Sequence, residues 1–122
     1  MPKKIAIIED EETLVKALEA ELQHSGYETI SAPDGKSGIS LIEKEQPNLI
    51  LLDILMPKLD GFAVLEKIKK EHTTKKIPVI MLSNLGHEND IKKAMEMGAE
   101  DYFVKSSTNL QDLPKKIKKY LS

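Results

Sequence analysis

The chain contains no cysteine and no arginine. Without cysteine there is no disulfide framework, no thiolate zinc site and no thiol nucleophile. Without arginine there is no bidentate guanidinium to read a phosphate or a guanine, and every cationic contact falls to lysine or histidine. No apolar run approaches the length of a membrane span, so no membrane contact is expected. Met1-Pro2-Lys3-Lys4 leads straight into a short strand-like run rather than a signal peptide, and the expected location is the cytoplasm. Internal repeats, low-complexity tracts and interdomain linkers are missing too. The 18 basic and 20 acidic side chains leave a net charge of -2, which offers no broad attraction to nucleic acid.

What is present describes an ordinary globular chain. Its 122 residues, 40% hydrophobic and 31% charged, fit a single domain over residues 1–122 that can bury a core without staples. Short apolar runs occur at Ile5–Ile8, Leu49–Leu52, Val79–Leu82 and Tyr102–Val104, and Tyr27–Ser31 alternates polar with apolar. Nearly continuous apolar runs suit strands buried on both faces, and the half-polar run suits a sheet edge. Between them lie amphipathic segments. Leu14, Leu18 and Leu22 mark a helix from about Glu11 to Ser25; Ile39, Leu41 and Ile42 follow Asp34, an N-cap candidate. Val64, Leu65 and Ile68 follow Asp60-Gly61, and Ile91, Ala94 and Met95 precede Gly98. A fifth helix is predicted from Thr108, with Gln111 as its capping-box partner and Leu110, Leu113, Ile117 and Leu121 as its apolar face. Gly26, Pro47, Pro57, Pro78 and Gly98 punctuate the units. Alternating strands and helices predict an α/β fold with a parallel sheet covered on both faces.

The chemistry-bearing residues stand where the strands end. Strand one ends in Glu9-Asp10, strand three in Asp53, strand four in Ser83 and strand five in Lys105. In a parallel sheet these ends share one rim, the side on which open α/β sheets bind ligands. Neighbouring strands lie about 4.8 Å apart, so carboxylates gathered there repel and call for a cation. A hard oxygen set of this kind suits Mg²⁺, with Mn²⁺ an alternative. Lys105 adds a positive charge and Ser83 a hydroxyl, which makes a place for a phosphoryl group with Asp53 as the attacking carboxylate.

Ile7-Ile8-Glu9-Asp10-Glu11, Leu51-Leu52-Asp53-Ile54-Leu55-Met56-Pro57, Leu59-Asp60-Gly61, Val79-Ile80-Met81-Leu82-Ser83, Gly98-Ala99 and Tyr102-Phe103-Val104-Lys105 together resemble the response-regulator receiver domains of two-component signalling. The resemblance implies a CheY-like, flavodoxin-like (βα)5 fold with strand order 2-1-3-4-5. It makes Asp53 the phosphoacceptor. Asp10 would be a direct metal ligand, Glu9 would act mainly through water, and the Leu55 carbonyl would complete the protein ligands. Ser83 would be the switch hydroxyl, Lys105 a second phosphoryl contact and Tyr102 an aromatic rotamer switch. The output face would be helix four (about His87–Met97), strand five and helix five (about Asn109–Leu121). Expected partners are a histidine kinase or histidine phosphotransfer protein and a downstream protein target. A monomer or a phosphorylation-dependent dimer is expected. The chain would be a switch that catalyses its own phosphorylation and dephosphorylation, not a turnover enzyme.

Three departures from the family pattern bear on this. Ser106 follows Lys105 where a cis proline is common, so that bond is either trans with a rebuilt loop or cis under strain. Asn84 follows Ser83 where a smaller side chain is usual and can crowd the phosphoryl group. Leu55 is apolar at a position that influences hydrolysis, as does Leu85, and it predicts a long-lived phosphoryl group.

Plainer readings stand beside these. Glu9 and Asp10 can cap the first helix. Ser83 can be a turn residue, Lys105 a solvated charge, Tyr102 an edge-strand aromatic and Asp60-Gly61 a turn. His24, His72 and His87 read as surface residues, and Met81, Met95 and Met97 as packing. The lysines at 115, 116, 118 and 119 complement a helix C-terminus. Other functional classes stay open. A phosphorylation-independent pseudo-receiver is one. A Mg²⁺ phosphohydrolase with an aspartyl-phosphate intermediate is another, although a haloacid-dehalogenase-like enzyme needs a second acid where Leu55 stands. A flavin-binding protein lacks its phosphate loop after strand one.

Overall fold

Each apolar run is a strand in the computed structural model, which describes residues 2–121. β1 (Lys4–Ile8), β2 (Glu28–Ala32), β3 (Leu49–Leu52), β4 (Val79–Ser83) and β5 (Asp101–Val104) form one parallel sheet in the order β2-β1-β3-β4-β5. Every residue of β3 and β4 is buried, as continuous apolar runs require. β2 is an edge strand, as its alternation implies. The other edge is β5, and here the apolar pattern misleads: all of its residues are only half-buried. An edge position leaves flanks open whatever the hydrophobicity of the run.

The helices are α1 (Glu12–His24), α2 (Gly35–Glu45), α3 (Gly61–Lys70), α4 (Glu88–Glu96) and α5 (Leu113–Ile117). Alternation along the strands splits the core. Ile5, Ile7, Leu49, Leu51, Ile80 and Leu82 face α1 and α5, where Leu18, Leu22, Leu113 and Ile117 meet them. Ala6, Ile8, Ile50, Leu52, Val79 and Met81 face α2, α3 and α4 through Ile42, Val64, Leu65, Ile68 and Ala94. Each fully buried Leu or Ile contributes about 1.5–3 kcal/mol, so these stripes rather than helix propensity hold the layers. Met81 and Met97 pack in the core or against it, but Met95 is exposed at 43% and fills no gap.

Local signals set the helix starts. Asp34 accepts from the Ser37 amide at 2.9 Å and Asp60 from the Ala63 amide at 3.0 Å. The fifth helix differs from expectation. No capping box forms between Thr108 and Gln111. Asn109 accepts the Gln111 amide at 3.0 Å, and a 3-10 turn (Leu110–Asp112) precedes α5. The physical reason is Pro114. In a continuous helix it would lack the bond to the Leu110 carbonyl and its ring would clash there. The chain therefore restarts, with proline tolerated in the first turn of α5.

Candidate functional site

Register brings the acids together. Ile8 pairs with Leu52, so Glu9 and Asp53 leave the sheet side by side. The Asp53 amide still donates to the Ile8 carbonyl, and the Glu9 amide to the Ala32 carbonyl, both at 3.0 Å. Both residues are thus held by the ladder although their strands have ended. Ligand oxygens of Glu9, Asp10 and Asp53 lie within 4.8 Å of one another. Glu9 and Asp53 are buried, at 3% and 4% exposure, while Asp10 is exposed and opens the cluster to solvent.

Lys105 reaches in from the end of β5. Its Nζ lies 2.6 Å from Glu9 Oε1 and 3.2 Å from Asp53 Oδ2. The second oxygen of each acid meets a backbone donor: Glu9 Oε2 accepts the Glu11 amide at 3.0 Å, and Asp53 Oδ1 the Ile54 amide at 2.8 Å. Neither Glu9 nor Asp10 caps α1: its N-cap is Glu11, with no side-chain capping bond, and Glu9 ties down the loop that enters the helix instead. Lys105 holds this place although the Lys105–Ser106 peptide is trans, because the loop is rebuilt as a 3-10 turn over Lys105–Ser107.

One ammonium does not balance three carboxylates. Burial pushes the Glu9 carboxyl up, to about 7, and Asp53 adds to the rise against the opposing hydrogen bonds from Lys105 and Glu11. Burial disfavours the Lys105 charge, yet its bond to Glu9 and the neighbouring Asp53 hold its pKa above the ordinary value. An excess of hard, anionic oxygens with one member open to solvent fits a divalent cation that keeps part of its water shell. Leu55 lies two residues beyond Asp53 on the loop after β3 and is 57% exposed.

Ser83 closes β4 and is fully buried. Its Oγ accepts the Leu85 amide at 3.3 Å, and the Tyr102 hydroxyl donates to the Leu85 carbonyl. One residue of the β4–α4 loop thus links Ser83 to Tyr102. Burial, then Asp90, raises the Tyr102 phenol, and Ser83 opposes the rise. Asn84 is exposed. The histidines at 24, 72 and 87 are exposed and are not members of the acidic cluster.

Gly61, which the sequence suggests only as a turn, packs directly against the candidate acceptor's backbone. A Cβ there would lie on the Asp53 carbonyl oxygen and 2.6 Å from the Ile54 Cα. Its amide donates to the Ile54 carbonyl at 2.8 Å. The start of α3 therefore rests directly on the Asp53–Ile54 peptide, which only a residue without Cβ permits. The Asp-Gly pair was visible in the sequence; the target of the close approach was not.

Residues 5–118 match the family model described as the response regulator receiver domain. A probable transcriptional regulator, ycf27, of Galdieria sulphuraria is 47% identical over 103 residues, which cover 84% of this chain and 39% of that protein. The chain thus spans less than half the length of this curated relative. The crystal structure of a putative response regulator from Chloroflexus aurantiacus J-10-fl superposes with a TM-score of 0.92 at 30% identity, covering 99% of this chain and 98% of that one. The Mn²⁺-bound form of the response regulator Rcp1 superposes with a TM-score of 0.82 at 34% identity, covering 97% and 91%.

Proposed function

The chain belongs to the response-regulator receiver family, and from that membership we propose that it is a phosphorylation-controlled switch whose acceptor is Asp53. The observation that carries this reading is the position of Lys105, bonded to both Glu9 and Asp53 beside an exposed Asp10.

In the proposed reaction an Asp53 carboxylate oxygen forms a bond to phosphorus as the donor's N–P or O–P bond breaks. The leaving group is the imidazole of a phosphohistidine, on a histidine kinase or phosphotransfer protein, or the carboxylate of a small acyl phosphate. The Lys105 ammonium, already within reach, offsets charge on a phosphoryl oxygen. Glu9, Asp10, Asp53 and the Leu55 carbonyl are the groups that would hold Mg²⁺, or Mn²⁺ as in Rcp1. When bound, such an ion neutralises phosphoryl charge. The Ser83 hydroxyl turns to donate to a phosphoryl oxygen and gives up its bond from the Leu85 amide. Because the Leu85 carbonyl holds Tyr102, that move frees the phenol, and the face formed by α4, β5 and α5 changes its population of binding-competent states. A downstream protein reads that face, from a monomer or a dimer formed on phosphorylation. Among the described residues no helix is long and apolar enough to cross a membrane, and the reading places the reaction in the cytoplasm. Gene control, as in the relative named a transcriptional regulator, is assigned to longer proteins and no nucleic-acid contact to these residues.

The test is incubation with acetyl phosphate, and separately with beryllofluoride, with and without Mg²⁺, read by intact mass and NMR. An adduct that requires the metal is expected. No adduct in saturating Mg²⁺ would overturn the reading in favour of a pseudo-receiver. Continuous phosphate release from a phosphomonoester would favour a phosphohydrolase. The exposed Leu55 side chain cannot orient an attacking water, so Leu55→Asn is expected to shorten the lifetime of the adduct several-fold in a decay assay.

The Glu9 pKa predicts a pH dependence. Below about 7 Glu9 carries a proton that it loses when a divalent ion binds. Mg²⁺ affinity is expected to fall as pH drops through about 7, with proton release detectable by calorimetry in buffers of different ionisation enthalpy. The folded-state value lies above the ordinary carboxyl value of 4.5, so the metal-free domain loses this group's contribution as pH rises from about 4.5 through about 7. The thermal stabilisation by Mg²⁺ should therefore be larger one unit above that pKa than one unit below it. Equal shifts at both would count against a buried, proton-binding Glu9.

A further inference from the structure

We propose that Thr108 is a positioning residue for Lys105, holding the turn that aims its ammonium at Glu9 and Asp53; this rests on the phosphoacceptor reading of Asp53. Lys105 has little latitude, since one Nζ serves two carboxylates at 2.6 and 3.2 Å. Its backbone has weak support. The β4·β5 register ends with Ser83 opposite Val104, β5 is an edge strand, and Lys105 is the first residue beyond the ladder. Ser106 supplies no ring to stiffen the next bond, and both Ser106 and Ser107 are exposed.

Thr108 closes this turn from two sides. Its Oγ1 donates to the Val104 carbonyl at 2.7 Å, and its amide to the Lys105 carbonyl at 3.3 Å. The carbonyls on both sides of the Lys105 Cα are thereby held by one half-buried residue. The hydroxyl has no part in starting α5, because Asn109 provides the acceptor for the following 3-10 turn. Its bond is spent on the backbone that carries Lys105.

The experiment compares Thr108→Val, which keeps the β-branch and volume but removes the donor, with Thr108→Ser, which keeps the donor. Phosphorylation by acetyl phosphate at saturating Mg²⁺ is expected to slow by about tenfold in Thr108→Val, since small misplacements of a charge-stabilising group cost one to two orders of magnitude. Thr108→Ser is expected within about twofold of the parent on the same scale, and Thr108→Val is expected to bind Mg²⁺ at least as tightly as the parent, since the ammonium that shares Glu9 and Asp53 with the ion is loosened. In a Lys105→Met background Thr108→Val should slow the reaction no further, because the group it positions is gone. The ¹⁵N shift of the Lys105 ammonium gives an independent readout: it should move toward a solvated lysine in Thr108→Val and stay in Thr108→Ser. A Thr108→Val protein with parental rate and shift overturns the proposal, as does a slowing that persists without Lys105. Failure of the parent protein to form any adduct would instead bring down the Asp53 reading, and this inference with it.

Discussion

Asp53→Asn is expected to abolish the phosphoryl adduct while leaving the metal-free domain as stable as the parent or more so. The amide has nearly the shape of the carboxylate and can keep the 2.8 Å bond from the Ile54 amide. It offers no anionic oxygen to attack phosphorus, so loss should be complete rather than graded. Stability moves the other way because Asp53 and Glu9 are buried like charges sharing one lysine. Removing one relieves repulsion, lowers the Glu9 carboxyl only in part because burial still holds it up, and leaves Lys105 paired at 2.6 Å. The net gain is on the order of 1 kcal/mol above about pH 7, where both acids are ionised, and falls away below it. Thermal melts without metal and intact mass after acetyl phosphate read both outcomes. An adduct that survives in Asp53→Asn would place the acceptor elsewhere. A large fall in melting temperature would mean that the Asp53 charge supports the fold.

Lys105→Met should act in the opposite sense. Methionine keeps most of the apolar stem and removes the cation, leaving two buried carboxylates facing each other. Breaking a buried pair by removing one partner costs about 3–5 kcal/mol. That cost applies fully only above about pH 7; below it Glu9 binds a proton and the uncompensated charge shrinks. A divalent ion should restore part of the loss by replacing the missing positive charge. Metal binding is expected to persist in the variant while phosphorylation slows and signalling weakens. Chemical denaturation at two pH values, with and without Mg²⁺, checks the pattern. A small, pH-independent and metal-independent loss would show that Lys105 is a solvated charge after all.

These two expectations share one physical origin, an electrostatic excess kept on purpose at a sheet rim. The site stores repulsion among carboxylates that a cation and a phosphoryl group are suited to resolve. Gly61 and Thr108 supply its geometry from opposite sides, one by letting α3 rest on the Asp53 peptide and the other by closing the turn beyond Lys105.

Much of this was legible in the linear order of residues. Period-two and continuous apolar runs named the strands, the 3.6-residue spacing of Leu14, Leu18 and Leu22 named α1, and Asp34 and Asp60 announced helix starts, because those patterns depend only on local geometry. The acidic, hydroxyl and ammonium side chains at strand ends can be counted along the chain. Other features depended on what lies across space. The half-burial of β5 follows from its place at the sheet edge, which its apolar composition does not encode. The exposure of Met95 depends on which face of α4 finds a partner. Pro114 sets the short α5, against the capping pattern that Thr108 and Gln111 suggest in the linear sequence.

The amino-acid order alone thus determined the succession of strands and helices and the inventory of reactive groups, since these rest on the periodicity and chemistry of near neighbours. Only the folded chain decided that one lysine spans two acids 96 and 52 positions away in sequence, that Thr108 anchors it, and that Gly61 touches Asp53. Such contacts are set by strand register and sheet order, which bring distant residues within ångströms and leave no trace in local spacing.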